Sequence, residues 1–263
     1  MIVVLLWLLL VVFLLIAFSR KIDNLYDGII LLRPLSDKFR KSIEQHNGFY
    51  QRLPAESKKM FEKKVKQFIF SKKFIPRNLS EVTDEMKALI ASAAVQLTFG
   101  LPGVSLKHFD RILVYADDYY SEIGRQYHKG EVNPRLRAIV VSWKSFVEGY
   151  AHPHNGINLG LHEMAHALKL ENVIRNGEHH FFELQEYTKW IGLAGEVIRK
   201  IRNYEDTLFR QYAAVDEDEF FAACIEIYFE QPHQMLEIYP VLYKTLSNLL
   251  CQDLIQLYSK SVA

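Results

Sequence analysis

The segment from Gly160 to Leu168 constrains the fold more than any other part of this chain. It reads Gly-Leu-His-Glu-Met-Ala-His-Ala-Leu and contains no proline, so it is predicted to form a helix. Residues four apart lie on one face of a helix, which brings the imidazoles of His162 and His166 together. Two histidines in this spacing can bind one metal ion. Glu163, turned about 100° from His162, can instead reach a water bound to that ion, so the motif predicts a zinc hydrolase.

Two buried histidines held by backbone carbonyl groups are the alternative interpretation of this motif. The residues around it are largely apolar, so both rings are expected to be partly buried, where an unpaired polar group is costly. Catalytic zinc usually has three protein ligands and an open position for water, and two histidines with one carboxylate are an established set. The choice therefore depends on a carboxylate elsewhere in the chain.

That carboxylate is expected on a second helix, which the segment from Tyr212 to Phe221 opens and which is predicted to run to about Glu230 and to be ended by Pro232. Glu219 stands directly before two phenylalanines, where this helix turns inward, and is the preferred candidate. The acids in this region are Glu217, Asp218, Glu219 and Glu226. A capping box accounts equally well for Glu219, because it lies three residues after a possible N-cap at Asp216. Both interpretations stay open at this point.

Several further blocks give the chain a resemblance to a known family. Tyr212 is followed seven residues later by Glu219-Phe220-Phe221, and together with the histidine motif this resembles the zinc peptidases of the Mlc titration factor A family, which share a catalytic core with anthrax lethal factor. Other blocks with counterparts there are Arg52-Leu53-Pro54, Val82-Thr83-Asp84-Glu85, Ile112-Leu113-Val114-Tyr115, Val140-Val141-Ser142-Trp143, Asn155-Gly156-x-Asn158 and Tyr243-x-x-Leu246. The resemblance covers residues 49 to 255.

The resemblance implies a role for each matching residue. The counterparts of His162, His166 and Glu219 bind one zinc ion, the counterpart of Glu163 is the general base, and that of Tyr212 stabilises the transition state. These roles are chemically coherent, since zinc activates water and a tyrosine hydroxyl can donate to an oxyanion. Without the family, Tyr212 would be an ordinary amphipathic tyrosine, one of 14. The chain is therefore expected to be a zinc metallopeptidase with one Zn²⁺ per chain.

Lys169 departs from the family pattern. The family usually has an aspartate at this position, so an acid that could orient a ligand histidine is missing here. Glu171 or Glu226 could replace it, and Glu226 lies two turns after Glu219 on the same face of an apolar helix, where it needs a partner. The nearby histidines at positions 152, 154, 179 and 180 are predicted to lie on loop surfaces.

The first residues of the chain, Met1 to Phe18, form an unbroken apolar run that predicts a transmembrane helix. As a helix the run would be about 27 Å long, just enough to cross a hydrocarbon core of about 30 Å. A cleaved signal peptide is the alternative, with Ala17-Phe18-Ser19 as the cleavage site, although no basic residue precedes the run. Basic residues follow it. By the positive-inside rule we expect a single-pass protein of the inner (cytoplasmic) membrane with its catalytic domain in the cytoplasm.

The rest of the chain is long enough for one well-packed domain, since 49% of the 263 residues are hydrophobic. We predict an anchor at residues 1–19, a juxtamembrane connector at 20–48 and a zinc metallopeptidase domain at 49–263. Short β-rich runs at Asp110 to Tyr115 and at Arg137 to Trp143, among several helices, predict an α+β fold: a mostly helical zincin-type domain with a small sheet.

A basic helix is predicted from Glu56 to Phe74, with its lysines largely outside, either solvated or lying against anionic lipid. The formal net charge of +1 argues against a general nucleic-acid binder. The expected partners are a peptide or protein substrate and the membrane. The alternative function is a regulatory module that sequesters a transcription factor or other partner, since the name-giving member of the similar family sequesters a transcriptional repressor.

Overall fold

Helices dominate the computed structural model, which describes residues 34–121 and 126–259. They span Asp37–His46 (α1), Gly48–Gln51 (α2), Ala55–Ser71 (α3), Asp84–Thr98 (α4), Trp143–Ala151 (α5), Leu159–Val173 (α6), Leu184–Arg202 (α7), Glu217–Glu230 (α8), Pro232–Ile238 (α9), Pro240–Leu249 (α10) and Leu254–Ser259 (α11). A short 3₁₀ helix spans Gln211–Ala214.

The strands form a small sheet beside these helices. They span Lys73–Arg77 (β1), Arg111–Tyr115 (β2), Tyr119–Ser121 (β3), Gln126–His128 (β4), Gly130–Asn133 (β5) and Ala138–Ser142 (β6). Four of them pair in the order β1-β2-β6-β5, in which β5 is antiparallel to β6 and the other pairs are parallel. The remaining two, β3 and β4, form a separate antiparallel pair. The prediction of a mostly helical α+β fold with a small sheet is confirmed.

Helix α4 lies at the centre of the fold because its sequence is apolar on nearly every side. The Thr83 side chain caps it by accepting a hydrogen bond from the backbone N–H of Met86. Its residues from Ala88 to Thr98 are all buried, as expected for a helix without a polar face. Helices α1, α3 and α6 pack around it. The helix with the histidine motif is therefore supported from behind by the core.

Helices α6 and α8 pack against each other, and α6 also contacts strands β5 and β6. Helix α8 is buried from Phe220 to Glu230, so all of it except its first three residues lies inside the protein. It begins after Asp216, whose Oδ1 accepts hydrogen bonds from the backbone N–H groups of Asp218 and Glu219. This packing directs the first turn of α8 towards the middle of α6.

The lysines of the basic helix are less solvated than the sequence predicted. Lys66 on α3 and Lys72 directly after it are only 7% and 8% exposed. The ammonium group of Lys64 donates to three backbone carbonyl groups near the end of α4, those of Thr98, Phe99 and Leu101. The Lys64 side chain thus connects α3 to the end of α4.

The predicted membrane location is corrected. Among residues 34–121 and 126–259, no helix is long and apolar enough to cross a membrane. The longest of them, α7, has 19 residues but carries Arg199, Lys200 and Arg202 in its last turn, whereas a spanning helix needs about 20 mostly apolar residues. This finding contradicts the prediction of a single-pass protein of the inner membrane. The run Met1 to Phe18 and the alternative cleavage site lie outside the described residues.

Residues Ser36–Ala263 form one compact unit by their internal contacts. The proposed division of the chain at residues 19 and 48 stays a prediction.

Candidate metal centre

The loop before α6 sets the position of the histidine motif. Asn158 is the N-cap of α6: its side chain accepts a hydrogen bond from the backbone N–H of Leu161. The backbone N–H of Asn158 donates to Glu226 Oε1 at 2.7 Å, and its side-chain amide donates to Glu230 at 3.1 Å. Two acids of α8 thus hold the start of α6, and the histidines one and two turns later face α8.

Three donor atoms converge between α6 and α8. Nε2 of His162 lies 3.1 Å from Nε2 of His166 and 3.2 Å from Oε2 of Glu219, and Nε2 of His166 lies 3.5 Å from Oε1 of Glu219. Ligand atoms of a tetrahedral zinc ion, at bond lengths of 2.0–2.1 Å, are about 3.3 Å apart. The observed triangle therefore has the size of one face of such a site, and these three residues fit a zinc ion.

The chemistry of the three donors also fits a metal ion. Glu219 Oε2 is buried and makes no hydrogen bond to another described residue, although it lies close to His162. A buried carboxylate oxygen without a hydrogen bond is costly unless a cation balances it. Asp216 caps α8 as the sequence allowed, but the Glu219 side chain faces the histidines and does not complete a capping box.

The charges in this cluster depend strongly on one another. Burial alone would raise the pKa of Glu219, but the imidazoles of His162 and His166 hold it well below its ordinary value. Burial alone would lower the pKa of His162, but Glu219 and Glu226 outweigh it and raise the pKa to about 10. The carboxylate and the imidazoles thus favour an ion pair, whose proton must leave before a metal ion binds to both.

Glu163 lies inside the protein beside this cluster, and it is only 5% exposed. Burial raises the pKa of its carboxyl group to about 7, although His162 and His166 act in the opposite direction. Its carboxylate packs against the backbone of Gly130 on the edge strand β5. A Cβ atom at Gly130 would lie 2.3 Å from Glu163 Oε1, so only glycine leaves room for the carboxylate there.

Gly130 is a residue that sequence reasoning missed. A signal for it was present, because a glycine within a strand often marks a close approach of another group to the backbone. The sequence of residues 126–133 has no β-rich run, so nothing in it indicates that Gly130 lies in a strand.

Glu226 is the acid that lies beside the ring of His162. Its Oε2 lies 3.4 Å from Nδ1 of His162 and 3.0 Å from Nη2 of Arg210. A carboxylate at Nδ1 holds a proton on that nitrogen and leaves the lone pair of Nε2 free for a metal ion. Glu171 does not do this, because its carboxylate accepts hydrogen bonds from His108 N and Asn176 Nδ2.

Lys169, the residue that departs from the family pattern, contacts α8. Its ammonium group pairs with Asp218 in the first turn of α8, and it lies 5.6 Å from the centre of the Trp190 ring. The lysine therefore connects α6 to the residue next to Glu219.

Tyr212 lies on the 3₁₀ helix before α8 and is 58% exposed. Partial burial, followed by the nearby carboxylate of Glu219, raises the pKa of its hydroxyl group. The 3₁₀ helix is held by Arg202, whose guanidinium donates to the carbonyl groups of Ala214 and Val215. The hydroxyl group of Tyr212 lies near the carboxylate of Glu219.

The structure brings together all five residues that the sequence singled out, namely His162, Glu163, His166, Tyr212 and Glu219. The histidines at positions 152, 154, 179 and 180 lie on exposed turns, as predicted. Among residues 34–121 and 126–259, one group of three or more side chains could hold a metal ion, and it consists of His162, His166 and Glu219.

Comparisons with known proteins give similarities over most of the chain. The family model described as Glucose-regulated metallo-peptidase M90 matches residues 21–250. An uncharacterized protein of Synechocystis sp. is 25% identical over 236 residues, which cover 84% of this chain and 86% of that protein. Mlc titration factor A of Enterobacter sp. is 25% identical over 225 residues (78% and 82% of the two chains), and that of Edwardsiella ictaluri is 27% identical over 213 residues (73% and 79%).

Proposed function

Because the chain belongs to the glucose-regulated metallopeptidase M90 family, we propose that it is a zinc-dependent peptidase with His162, His166 and Glu219 as the ligands of one zinc ion. The observation that carries the proposal is the triangle of donor atoms with sides of 3.1, 3.2 and 3.5 Å between two packed helices. Peptides are the substrate class that the family implies.

Bound there, zinc would acidify a water molecule and polarise the scissile carbonyl group. Glu163 then acts as the general base: it accepts a proton from the attacking water and passes it to the leaving amine. Burial raises the pKa of this carboxyl group, which makes its carboxylate a stronger proton acceptor than that of an exposed glutamate. Its burial against Gly130 holds the carboxylate in place.

Two further residues support the reaction. Glu226 keeps the proton of His162 on Nδ1, so that Nε2 faces the centre as a ligand atom. The hydroxyl of Tyr212 donates a hydrogen bond to the oxygen on which negative charge develops, a contact whose loss often costs a few kcal/mol of transition-state stabilisation. The side chain of Tyr212 is half exposed, as a group that meets a substrate must be.

Sequestration of a regulatory protein is the alternative function. Its support is the name Mlc titration factor A carried by two of the relatives. The buried Glu163 favours the peptidase, because a module that only captures a partner gains nothing from a carboxyl group held next to a histidine cluster at the cost of its desolvation.

Glu163→Gln tests the proposed function. The variant should retain zinc and lose peptide cleavage by about two orders of magnitude or more, since it keeps the shape of the side chain but cannot accept the proton. Glu237→Gln on the exposed side of α9 is the matched control and should cleave at the wild-type rate. Cleavage by Glu163→Gln at the rate of the zinc-loaded wild type would refute the assignment.

A further inference from the structure

Arg210 lies next to the proposed metal centre and contacts it from one side only. It directly precedes the 3₁₀ helix that carries Tyr212. Its Nη2 donates to Glu226 Oε2 at 3.0 Å and to the carbonyl oxygen of Gly156 at 3.4 Å. The side chain of Glu226 is 2% exposed, whereas the side chain of Arg210 is 45% exposed. The side chain of Arg210 is thus half exposed while its Nη2 contacts a buried carboxylate.

Two of the three nitrogen atoms of this guanidinium have unused hydrogen-bond donors. An arginine has five N–H donors in a fixed plane, and those of Nη2 are directed at Glu226 and Gly156. Within the described ranges, Nε and Nη1 of Arg210 make no hydrogen bond. A planar group with free N–H donors and a permanent charge matches a carboxylate, which it can bind with two parallel hydrogen bonds.

The position of these free donors relates them to the reaction. Arg210 and His162 contact the same oxygen of Glu226, so the guanidinium is one carboxylate away from a proposed zinc ligand. Tyr212 follows two residues later in the chain and lies at Glu219 on the other side of His162. A substrate group that binds Arg210 would therefore lie close to the scissile bond.

The charge of Glu226 does not by itself account for Arg210. Glu226 already accepts a hydrogen bond from the backbone N–H of Asn158, and its other oxygen faces His162. A shorter or fully buried cation would be enough to balance the negative charge of Glu226. Arg210 instead extends about half of its side chain into solvent next to the site.

We propose that Arg210 binds a carboxylate group of the substrate and so selects peptides with a negative charge near the scissile bond. The inference rests on the proposed peptidase function. The carboxylate has two sources, the C-terminal end of a short peptide and the side chain of an aspartate or glutamate. Both offer the same planar pair of oxygen atoms to the guanidinium.

Two random peptide libraries, one with free C-terminal carboxylates and one with C-terminal amides, distinguish these sources. Each is incubated with the zinc-loaded full-length protein, and the cleavage sites are mapped by mass spectrometry. Preference for the free-acid library identifies the C-terminal carboxylate, and enrichment of aspartate or glutamate at one fixed position in the amide library identifies a side chain. We expect one of these preferences at about tenfold to hundredfold in kcat/KM, the range for a hydrogen-bonded charge pair.

Arg210→Gln should abolish the preference, and Arg210→Lys should retain part of it, because lysine keeps the charge but not the planar pair of donors. Arg199→Gln, on the exposed face of α7, is the control for loss of an arginine and should leave the preference unchanged. The ratio between charged and uncharged peptides is the decisive readout. A purely structural effect through Glu226 would slow the cleavage of both peptides equally and leave their ratio unchanged.

Binding gives a second readout that does not depend on turnover. In the Glu163→Gln background, a charged peptide from the preferred set should bind about tenfold more tightly than its neutral counterpart, and Arg210→Gln should remove the difference. Cleavage without any charge preference, or a preference that survives in Arg210→Gln, would overturn the role of Arg210 alone. Absence of cleavage in both libraries by the zinc-loaded protein would count against the peptidase proposal itself, and the inference would fall with it.

Discussion

Gly130 shows how a residue without a side chain controls a proposed catalytic group. The Glu163 carboxylate occupies the space in which any other residue at position 130 would carry its Cβ atom. Antiparallel pairing of Gly130 with Val141 on β6 fixes its backbone, so strand β5 cannot move away without losing hydrogen bonds to β6. A change at Gly130 must therefore be absorbed by Glu163.

We expect Gly130→Ala to reduce peptide cleavage by at least about tenfold while zinc binding is retained, because the added methyl group displaces the general base but none of the proposed ligands. Activity and zinc content are measured on the same preparation. Gly192→Ala on α7 is the control, since its Cβ would meet no atom within 4 Å, and it should stabilise the helix by about 0.5–1 kcal/mol. Full activity in Gly130→Ala would show that the carboxylate need not lie where the structure has it.

Glu226 is expected to affect zinc binding indirectly, through its contact with His162. Glu226→Gln keeps an acceptor for Asn158 but loses the charge that holds a proton on His162 Nδ1. We expect a tenfold to hundredfold loss of zinc affinity, roughly the range for groups that orient a metal ligand, measured by competition with a chelator. The melting temperature of the zinc-free protein reports separately on folding. An unchanged zinc affinity would mean that His162 is oriented by its packing alone.

At the scale of elements, the pairing of α6 with α8 builds the centre. Helix α8 contributes Glu219 from its first turn, Glu226 from its middle and Glu230 from its end, and the last two hold the loop that leads into α6. Lys169 adds a link from α6 back to Asp218. Side chains from the whole length of α8 thus set the position of one turn of α6.

Glu230 makes this link between helices sensitive to pH. Its carboxyl group accepts hydrogen bonds from Gly156 N and Asn158 Nδ2, and burial raises its pKa to about 7. The unfolded chain has the lower, ordinary pKa of about 4.5, so the folded protein binds more protons between these values and loses stability as the pH rises from about 4.5 to 7.

The difference in unfolding free energy between wild type and Glu230→Gln should therefore change with pH. The wild type loses up to about 3 kcal/mol relative to the variant between pH 4.5 and 7, since glutamine does not titrate. Denaturant titrations of both proteins at several pH values measure this difference. A difference that stays constant with pH would show that Glu230 has an ordinary pKa in the folded state.

At the scale of the whole molecule, local sequence signals predicted the elements that carry the site. The sequence marks Asp216 as a possible N-cap, Pro232 as the limit of a helix and the run from Asp110 to Tyr115 as a strand, and the structure has a helix start, a helix limit and a strand there. These signals are local because caps, prolines and β-branched runs act on the backbone within a few residues. The helical patterning around His162 was of the same kind.

What the sequence could not predict depends on contacts between distant segments. The basic helix was predicted to run to Phe74, whereas Lys73–Arg77 forms strand β1. This strand contains Pro76, and the sheet tolerates the proline because β1 is an edge strand. The choice between Glu171 and Glu226 as partner of His162 was open because both lie on apolar helices. Packing of α6 on α8 decides it, and such packing leaves no mark within either segment.

The central claim is that His162, His166 and Glu219 hold one zinc ion, and zinc analysis of the purified full-length protein tests it most directly. The account predicts about one zinc per chain in the wild type and in His233→Ala, an exposed histidine on α9, and a large loss of zinc in His166→Ala. A wild-type protein that takes up no zinc, or a His166→Ala variant that retains it with undiminished affinity, would contradict the account.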